Sequence, residues 1–317
     1  MRKHRDQPVC PSGVEGVLGL SEFARQQSPL DSARGERGTK ASRREVLQLL
    51  AGLPLLPTNA HERVLEAAVE RAGGLPPVKR GGCVLLKVNT NSGDPAPYST
   101  SPVVVAWFAR QYVARGVRVV VGDRSFWGDR DTRGNLERNG IGPAARRAGA
   151  EVRTFETDDT DWLELDPRLV PSWVPPVRVP RLAFEADQLI NLACAKTHFI
   201  TGVTLGLKNM LGLVCADDRA REGNLRSHDP ARIHQQVAEI HAALPVAFTV
   251  IDGFDALVTG GPTPGSGAPP TIVRTGVVLA SRDAHAVEAE GRSLLSRHRP
   301  GEFRARTGTP RSTPAPR

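Results

Sequence analysis

The chain has 317 residues, 39% hydrophobic and 24% charged, with 31 glycines and 26 prolines, which fits one large globular domain or two small ones. The formal charge is +8, but much of the excess lies in arginine-rich ends, with no basic stripe interleaved with aromatics and no zinc-finger spacing, which argues against a nucleic-acid partner. No apolar run reaches the roughly 18 to 20 residues of a membrane span.

Residues 1–41, rich in Arg, Ser, Gly and Gln, read as disordered or as lying upstream of the true start. Residues 42–60 open with Ser42-Arg43-Arg44, continue as a short apolar run to Leu56 and end in Pro57-Thr58-Asn59-Ala60. A paired arginine, a short apolar segment and a small residue at a plausible cleavage point resemble a twin-arginine export signal. The expected location is therefore periplasmic or extracytoplasmic, with a cytoplasmic protein carrying an ordinary amphipathic helix as the alternative.

Residues 61–81 read as a helix from His61 to Ala72 and a linker closed by Gly73-Gly74 and Pro76-Pro77. From 82 to 299 the pattern alternates as one α/β domain. Val84 to Val88 is a strand, and Ser101 caps a helix that begins at Pro102 and ends before Gly116. Val117 to Val121 is the next strand, followed by a helix near Leu136 to Ala148 and a strand from Glu151 to Phe155. An irregular stretch, 157–182, interrupts. A strand opens at Gln188, helices cover Lys208 and Ile233 to Leu244, and strands run over Ala247–Ile251 and Val273–Ala280. Asp283 begins the last helix. Strand–helix alternation at this spacing implies a mostly parallel sheet with helices on both faces, a three-layer, Rossmann-like α/β fold. Residues 300–317, a Pro/Arg/Thr tail, read as disordered.

Of the 42 basic residues only six are lysines, and two of these fall in one short segment. There a strand empties into Lys196 and His198, and Lys208 and Asn209 follow ten residues later on a Gly-punctuated apolar helix. A strand that ends in polar groups before a helix is where open α/β sheets hold ligands. If all strands are parallel, Lys87, Asn89, Asp123, Lys196, His198, Asp252 and Asp283 share one edge. Taken singly, each has an ordinary explanation: Asp123 and Asp252 as turn formers, Asp283 as an N-cap, Asn89 as a loop residue. Taken together they form a candidate site.

Lys87, Lys196 and Lys208 would make it electropositive, suited to a small carboxylate or phosphate. Catalytic candidates are His198, Lys196 and Lys208, with Lys87, Asn89, Asn209 and Gly261 binding substrate. His198, His228 and Asp252 are candidate ligands of a divalent metal, although none lie at a motif spacing. His234 and His241, seven apart on one helix, read as surface. The loop Gly260-Gly261-Pro262-Thr263-Pro264-Gly265 lacks the Lys-Ser/Thr of a phosphate loop. The cysteines, Cys10, Cys83, Cys194 and Cys215, contain no C-x-x-C, so no iron–sulfur cluster is expected, and isolated buried thiols are favoured over a Cys194–Cys215 disulfide. No G-x-S-x-G and no G-x-G-x-x-G after the first strand are present, which disfavours serine hydrolases and ordinary dinucleotide enzymes.

From about 82 to 295 these motifs resemble the bacterial and archaeal family called domain of unknown function 362. The resemblance rests on Lys87 and Asn89, Ser101-Pro102, Asp187-x-x-Ile190-Asn191-Leu192, Lys196-Thr197-His198, Leu207-Lys208-Asn209-x-x-Gly212 and His228. It continues through Asp252-Gly253, Gly261-Pro262-x-x-Gly265 and Asp283-x-x-Ala286-Val287. The chain departs from the pattern at Val88 and Ala193, where proline is common, and at His285, usually aliphatic; the last acidic position is Glu288. Many relatives append a ferredoxin-like domain, which this chain lacks. The resemblance implies the α/β fold, supports export, and relates the pattern to the amino-terminal part of nickel-dependent lactate racemases. Two functions follow as expectations: an enzyme with an anion-binding, metal-assisted site at the sheet edge, or a non-catalytic metal- or ligand-binding maturation protein serving a redox partner.

Overall fold

In the computed structural model, residues 58–126, 128–129, 131–225, 229–266 and 268–299 are described. The arginine pair, the apolar run behind it and both chain ends lie outside them. The first described element, helix α1 (Thr58–Arg71), includes Ala60 at the end of the export-like segment.

The centre is built by strands that are apolar on both faces until their polar ends. Strand β1 (Cys83–Lys87) is buried at every position. Val84 and Leu86 join one hydrophobic cluster, Cys83 and Leu85 another. The same alternation splits β2 (Arg118–Asp123), with Val119 and Val121 on one side and Val120 on the other. A strand apolar on both faces needs cover on both, the condition for a parallel sheet inside helical layers. One layer holds α1, α2 (Pro102–Val113) and α4 (Ile141–Arg147), with α3 (Thr132–Arg138) beside it. Ser101 caps α2 by accepting from the Val104 amide. The helix expected near 136–148 is therefore two short ones, broken at Gly140, whose φ of +84° only glycine adopts easily.

Beyond β2 and α3–α4, β3 (Glu151–Thr154) pairs parallel to β2. The irregular stretch holds a small antiparallel pair, β4 (Trp162–Glu164) and β5 (Arg178–Pro180), followed by α5 (Leu182–Glu185). Then β6 (Gln188–His198) runs beside β1 and is joined antiparallel by β7 (Gly202–Thr204). A short helix α6 (Gly206–Asn209) continues as a 3-10 turn, Met210–Leu213, and α7 (Ala216–Arg219) follows. Helix α8 (Pro230–Ala243), strands β8 (Val246–Thr259) and β9 (Thr271–Ser281), and helix α9 (Ala284–His298) complete the domain. The main sheet runs β3-β2-β1-β6-β8-β9.

The sheet is mostly parallel, but β9 pairs antiparallel with β8. Their connection is the Gly/Pro-rich loop 260–270, a hairpin link rather than a helical crossover. Asp283, expected at the shared edge, therefore sits at the opposite end of the sheet, where it caps α9 by accepting from the amides of His285 and Ala286. Asp252 is not at a strand end either: β8 continues seven residues beyond it.

Candidate functional site

Three parallel strands set the floor. In register, Lys87 lies beside Gly122 on one side and Asn191 on the other. Asp123 follows Gly122 and closes a 2.8 Å ion pair with Lys87, both side chains almost fully buried. The Asp123 carboxylate also accepts from the amides of Thr90 (2.7 Å) and Arg124 (2.7 Å). Lys87 directs its remaining protons to the Val88 carbonyl (2.6 Å) and Asn209 Oδ1 (3.2 Å), so all three ammonium donors are used. Burial lowers the Lys87 pKa against the raising pull of Asp123. Gly212 makes this packing possible, because a Cβ there would stand 2.3 Å from Asp123 Oδ1 and 2.7 Å from Lys87 Nζ.

Strand β6 does not end before Lys196 and His198; it extends through both, with β7 completing its outer edge. The pleat then puts Lys196 and His198 on the same face. Lys196, with no solvent exposure, donates to Asn89 Oδ1 (2.8 Å) and to the Tyr98 carbonyl. A chain of amides runs on from there: Asn89 Nδ2 donates to Asn209 Oδ1 (3.0 Å), Asn209 Nδ2 to Asn191 Oδ1 (2.8 Å), and Asn191 Nδ2 to the Gly206 carbonyl (2.8 Å). This chain ties β1, β6 and α6 together and fixes where Lys196 points. No carboxylate stands within 4.0 Å of Lys196 among the described residues, and burial lowers its pKa.

These groups line a cleft of about 460 Å³. Lys87, Asn89, Lys196, His198, Lys208 and Asn209, all singled out from the sequence, meet there. Gly261 sits at its border: the Gly261 amide donates to Thr197 Oγ1 (3.3 Å), and a Cβ would lie 2.0 Å from the Thr197 carbonyl. Its neighbours Pro262 and Thr263 line the cleft.

Lys208 is partly buried and makes no hydrogen bond or ion pair with another described residue; burial, then the charges of Lys196 and Arg219, brings its pKa down to about 7. Arg219, only 5% exposed, donates from Nη2 to the Ser125 carbonyl (3.1 Å), while its buried Nε has no partner. Desolvation, reinforced by Arg124, lowers its pKa to about 10. Arg124 differs, being paired with Glu156 at 2.8 Å. Among the described residues, three cations of this cleft thus lack a carboxylate partner: Lys196, Lys208 and Arg219.

Asp252 does not line the cleft. Its carboxylate accepts from the amides of Ser101 (2.8 Å) and Phe254 (3.3 Å), and burial raises its pKa to about 6. His198 Nδ1 accepts from the amides of Ile200 (3.1 Å) and Thr201 (3.3 Å). His228, the third metal candidate, lies outside the described residues. Among the described residues no three His, Cys, Asp or Glu side chains are placed to hold a metal ion. His234 and His241 are not surface residues: both are partly buried, and desolvation takes the His241 pKa down to about 4. Cys83, Cys194 and Cys215 are buried thiols outside any disulfide, and burial raises Cys194 to about 11.

Arg219 and Arg124 escaped notice in the sequence. Arginine is too common here for one to stand out, and a four-residue helix offers no periodicity from which to read a face. The usable signal was the adjacency of Arg124 to Asp123 at a strand end.

A doubly covered, mostly parallel sheet with a polar cleft where strands end defines an open-sheet α/β protein. The chain belongs to the family described as domain of unknown function DUF362, whose model matches residues 84–291. It is also similar to "Thylakoid-associated protein sll1697" of Synechocystis sp. (strain ATCC 27184 / PCC 6803 / Kazusa), with 28% identity over 232 residues. That match covers 71% of this chain and 66% of the relative, so the chain spans just under two thirds of the relative's length. No helix among the described residues is long and apolar enough to cross a membrane.

Proposed function

We propose that the cleft binds a small anion, a carboxylate or phosphate, and that the protein is an enzyme acting on it. The observation that carries this reading is the presence of three cleft-lining cations without a counter-ion. A buried charge left unpaired is costly, and an anionic ligand would offset that cost. Lys196 has one N–H left after its two hydrogen bonds, Lys208 has three, and Arg219 has its Nε. Lys87, Asn89, Asn209 and Asn191 act as positioning residues, holding Lys196 through the amide chain. A lysine that titrates near neutrality is suited to proton transfer, which favours the enzyme over a purely binding role for Lys208. His198 lines the same cleft, and its imidazole is the second candidate for proton transfer or for ligating a divalent metal.

The test is calorimetric titration of the full chain with orthophosphate and with acetate. Binding that is strongly weakened in Lys196→Met and in Arg219→Met, with thermal unfolding retained, is the expected result. Failure of both anions to bind the wild-type protein contradicts the reading. We propose export on separate grounds, the Arg43-Arg44 pair and the apolar run behind it. A reporter that requires twin-arginine export, fused to residues 30–65, should lose export when both arginines become lysine; unchanged export removes that proposal.

A further inference from the structure

The cleft is far larger than a bare anion. An ion such as phosphate or acetate has only a few non-hydrogen atoms, whereas about 460 Å³ lies in the range that holds a medium-sized organic molecule. Its lining is also graded. The cations Lys196 and Arg219 are 0% and 5% exposed, while two aromatic lining residues, Phe126 and Phe199, are 41% and 62% exposed. Charge therefore lies deep and aromatic surface lies towards solvent. Exposed aromatics are scarce in this domain: the large apolar side chains that stand out to solvent among the described residues are these two, Leu169 and Val174. Both aromatic members of that set line this one cleft. The Phe199 ring is already stacked on His198, with centroids 5.1 Å apart and planes 6° from parallel, which orients the ring. Leu211, Leu225 and Ile233 add apolar wall to the same cleft.

Building on the anion reading above, we propose that the ligand is an organic anion with a flat aromatic or conjugated body. Its charged end rests on Lys196, Lys208 and Arg219, and its ring lies against Phe199 towards the mouth. Exposed phenylalanine costs solvation when no ligand is present, and stacking of a flat ring recovers it. His198 behind Phe199 limits the tilt of the stacked pair, so the rim favours a flat body over a branched one.

The test compares 1-naphthyl phosphate with orthophosphate, and 1-naphthoate with acetate, by calorimetric titration of the full chain. Each aryl anion should bind at least about tenfold more tightly than its bare counterpart. Phe199→Ala should reduce that ratio to about two- or threefold, and Phe199→Trp should keep it. Phe199 is exposed, so its replacement should leave the thermal unfolding profile unchanged, which separates lost stacking from lost folding. Preference in the phosphate pair alone or the carboxylate pair alone identifies the head group and supports the proposal. Bare and aryl anions binding equally overturns the ring and leaves the anion site standing. Failure of all four to bind overturns both.

Discussion

Asp218 and Arg219 are consecutive residues of one four-residue helix, yet they belong to opposite kinds of electrostatics. Asp218, fully buried, takes a bidentate pair from Arg178 (2.9 and 2.8 Å), the Arg178 amide (2.9 Å) and Arg221 (3.0 Å). Every oxygen is satisfied within the protein. Arg219, one residue on, is nearly as buried, but among the described residues it donates to a single carbonyl and its Nε has no partner. The first arrangement is complete and holds the β5–α7 region together. The second is incomplete without something from outside, and it is in the cleft. Buried charge that is satisfied is structural, whereas buried charge of one sign left facing a cavity marks a place for a ligand.

The largest effect should come from the satisfied side. Asp218→Ala strands two arginines and an amide, and should cost about 3 kcal/mol of stability, the lower end for a broken buried pair. The discount reflects the exposure of Arg178 and Arg221, 31% and 29%. Urea unfolding measures it, and anion affinity should change little. On the unsatisfied side the signs should reverse: Arg219→Met should leave stability equal or higher while weakening orthophosphate binding by about thirtyfold, the worth of one charge-assisted hydrogen bond. If Arg219→Met destabilises as much as Asp218→Ala, the contrast between the two residues is lost. Gly212→Ala probes the floor of the cleft. Its Cβ collides with the Lys87–Asp123 pair, and about 2 kcal/mol should be lost by overpacking, again read by urea unfolding.

The pH dependence sharpens the same point. The folded-state pKa of Lys208, about 7, is below its ordinary value of 10.5, so between those values the unfolded chain binds the extra proton. Stability contributed through Lys208 must then rise as pH increases from about 7 to 10.5 and be flat below 7. Anion affinity should run the other way, falling by up to about tenfold per pH unit above 7 as the ammonium is lost. Lys208→Met should remove both trends, as followed by denaturation and titration across pH. The smallest effect is expected at Asp283→Ala, which removes only the α9 cap. It should cost about 1 kcal/mol, visible in thermal unfolding, with no change in anion binding.

The parallel core was legible in the sequence because β1 and β2 are apolar on both faces and helices separate them. What misled was an assumption of uniform direction. The Gly/Pro loop 260–270 is a strand-to-strand link with no helix in it, and read that way it already reverses β9 and removes Asp283 from the site edge. Asp252 was misplaced for a related reason, since a polar Asp-Gly reads as a strand end, whereas β8 buries it mid-strand against the Ser101 amide. The lysines were legible because they are rare: Lys87, Lys196 and Lys208, three of the six in the chain, line one cleft. Arg219 was illegible because its role depends on a partner it does not have, and a missing partner leaves no trace in sequence.

That scarcity of lysine makes the most direct measurement practical. With six lysines in the chain, ¹³C labelling of the lysine ε-carbons resolves each ammonium by NMR, with assignment by Lys208→Arg. The Lys208 resonance should titrate near pH 7 and move to higher pH when orthophosphate is added. Arg219→Met should weaken the phosphate response. If every lysine titrates above pH 10 and phosphate moves none of them, the cleft holds no unpaired, ligand-seeking charge and the account is contradicted.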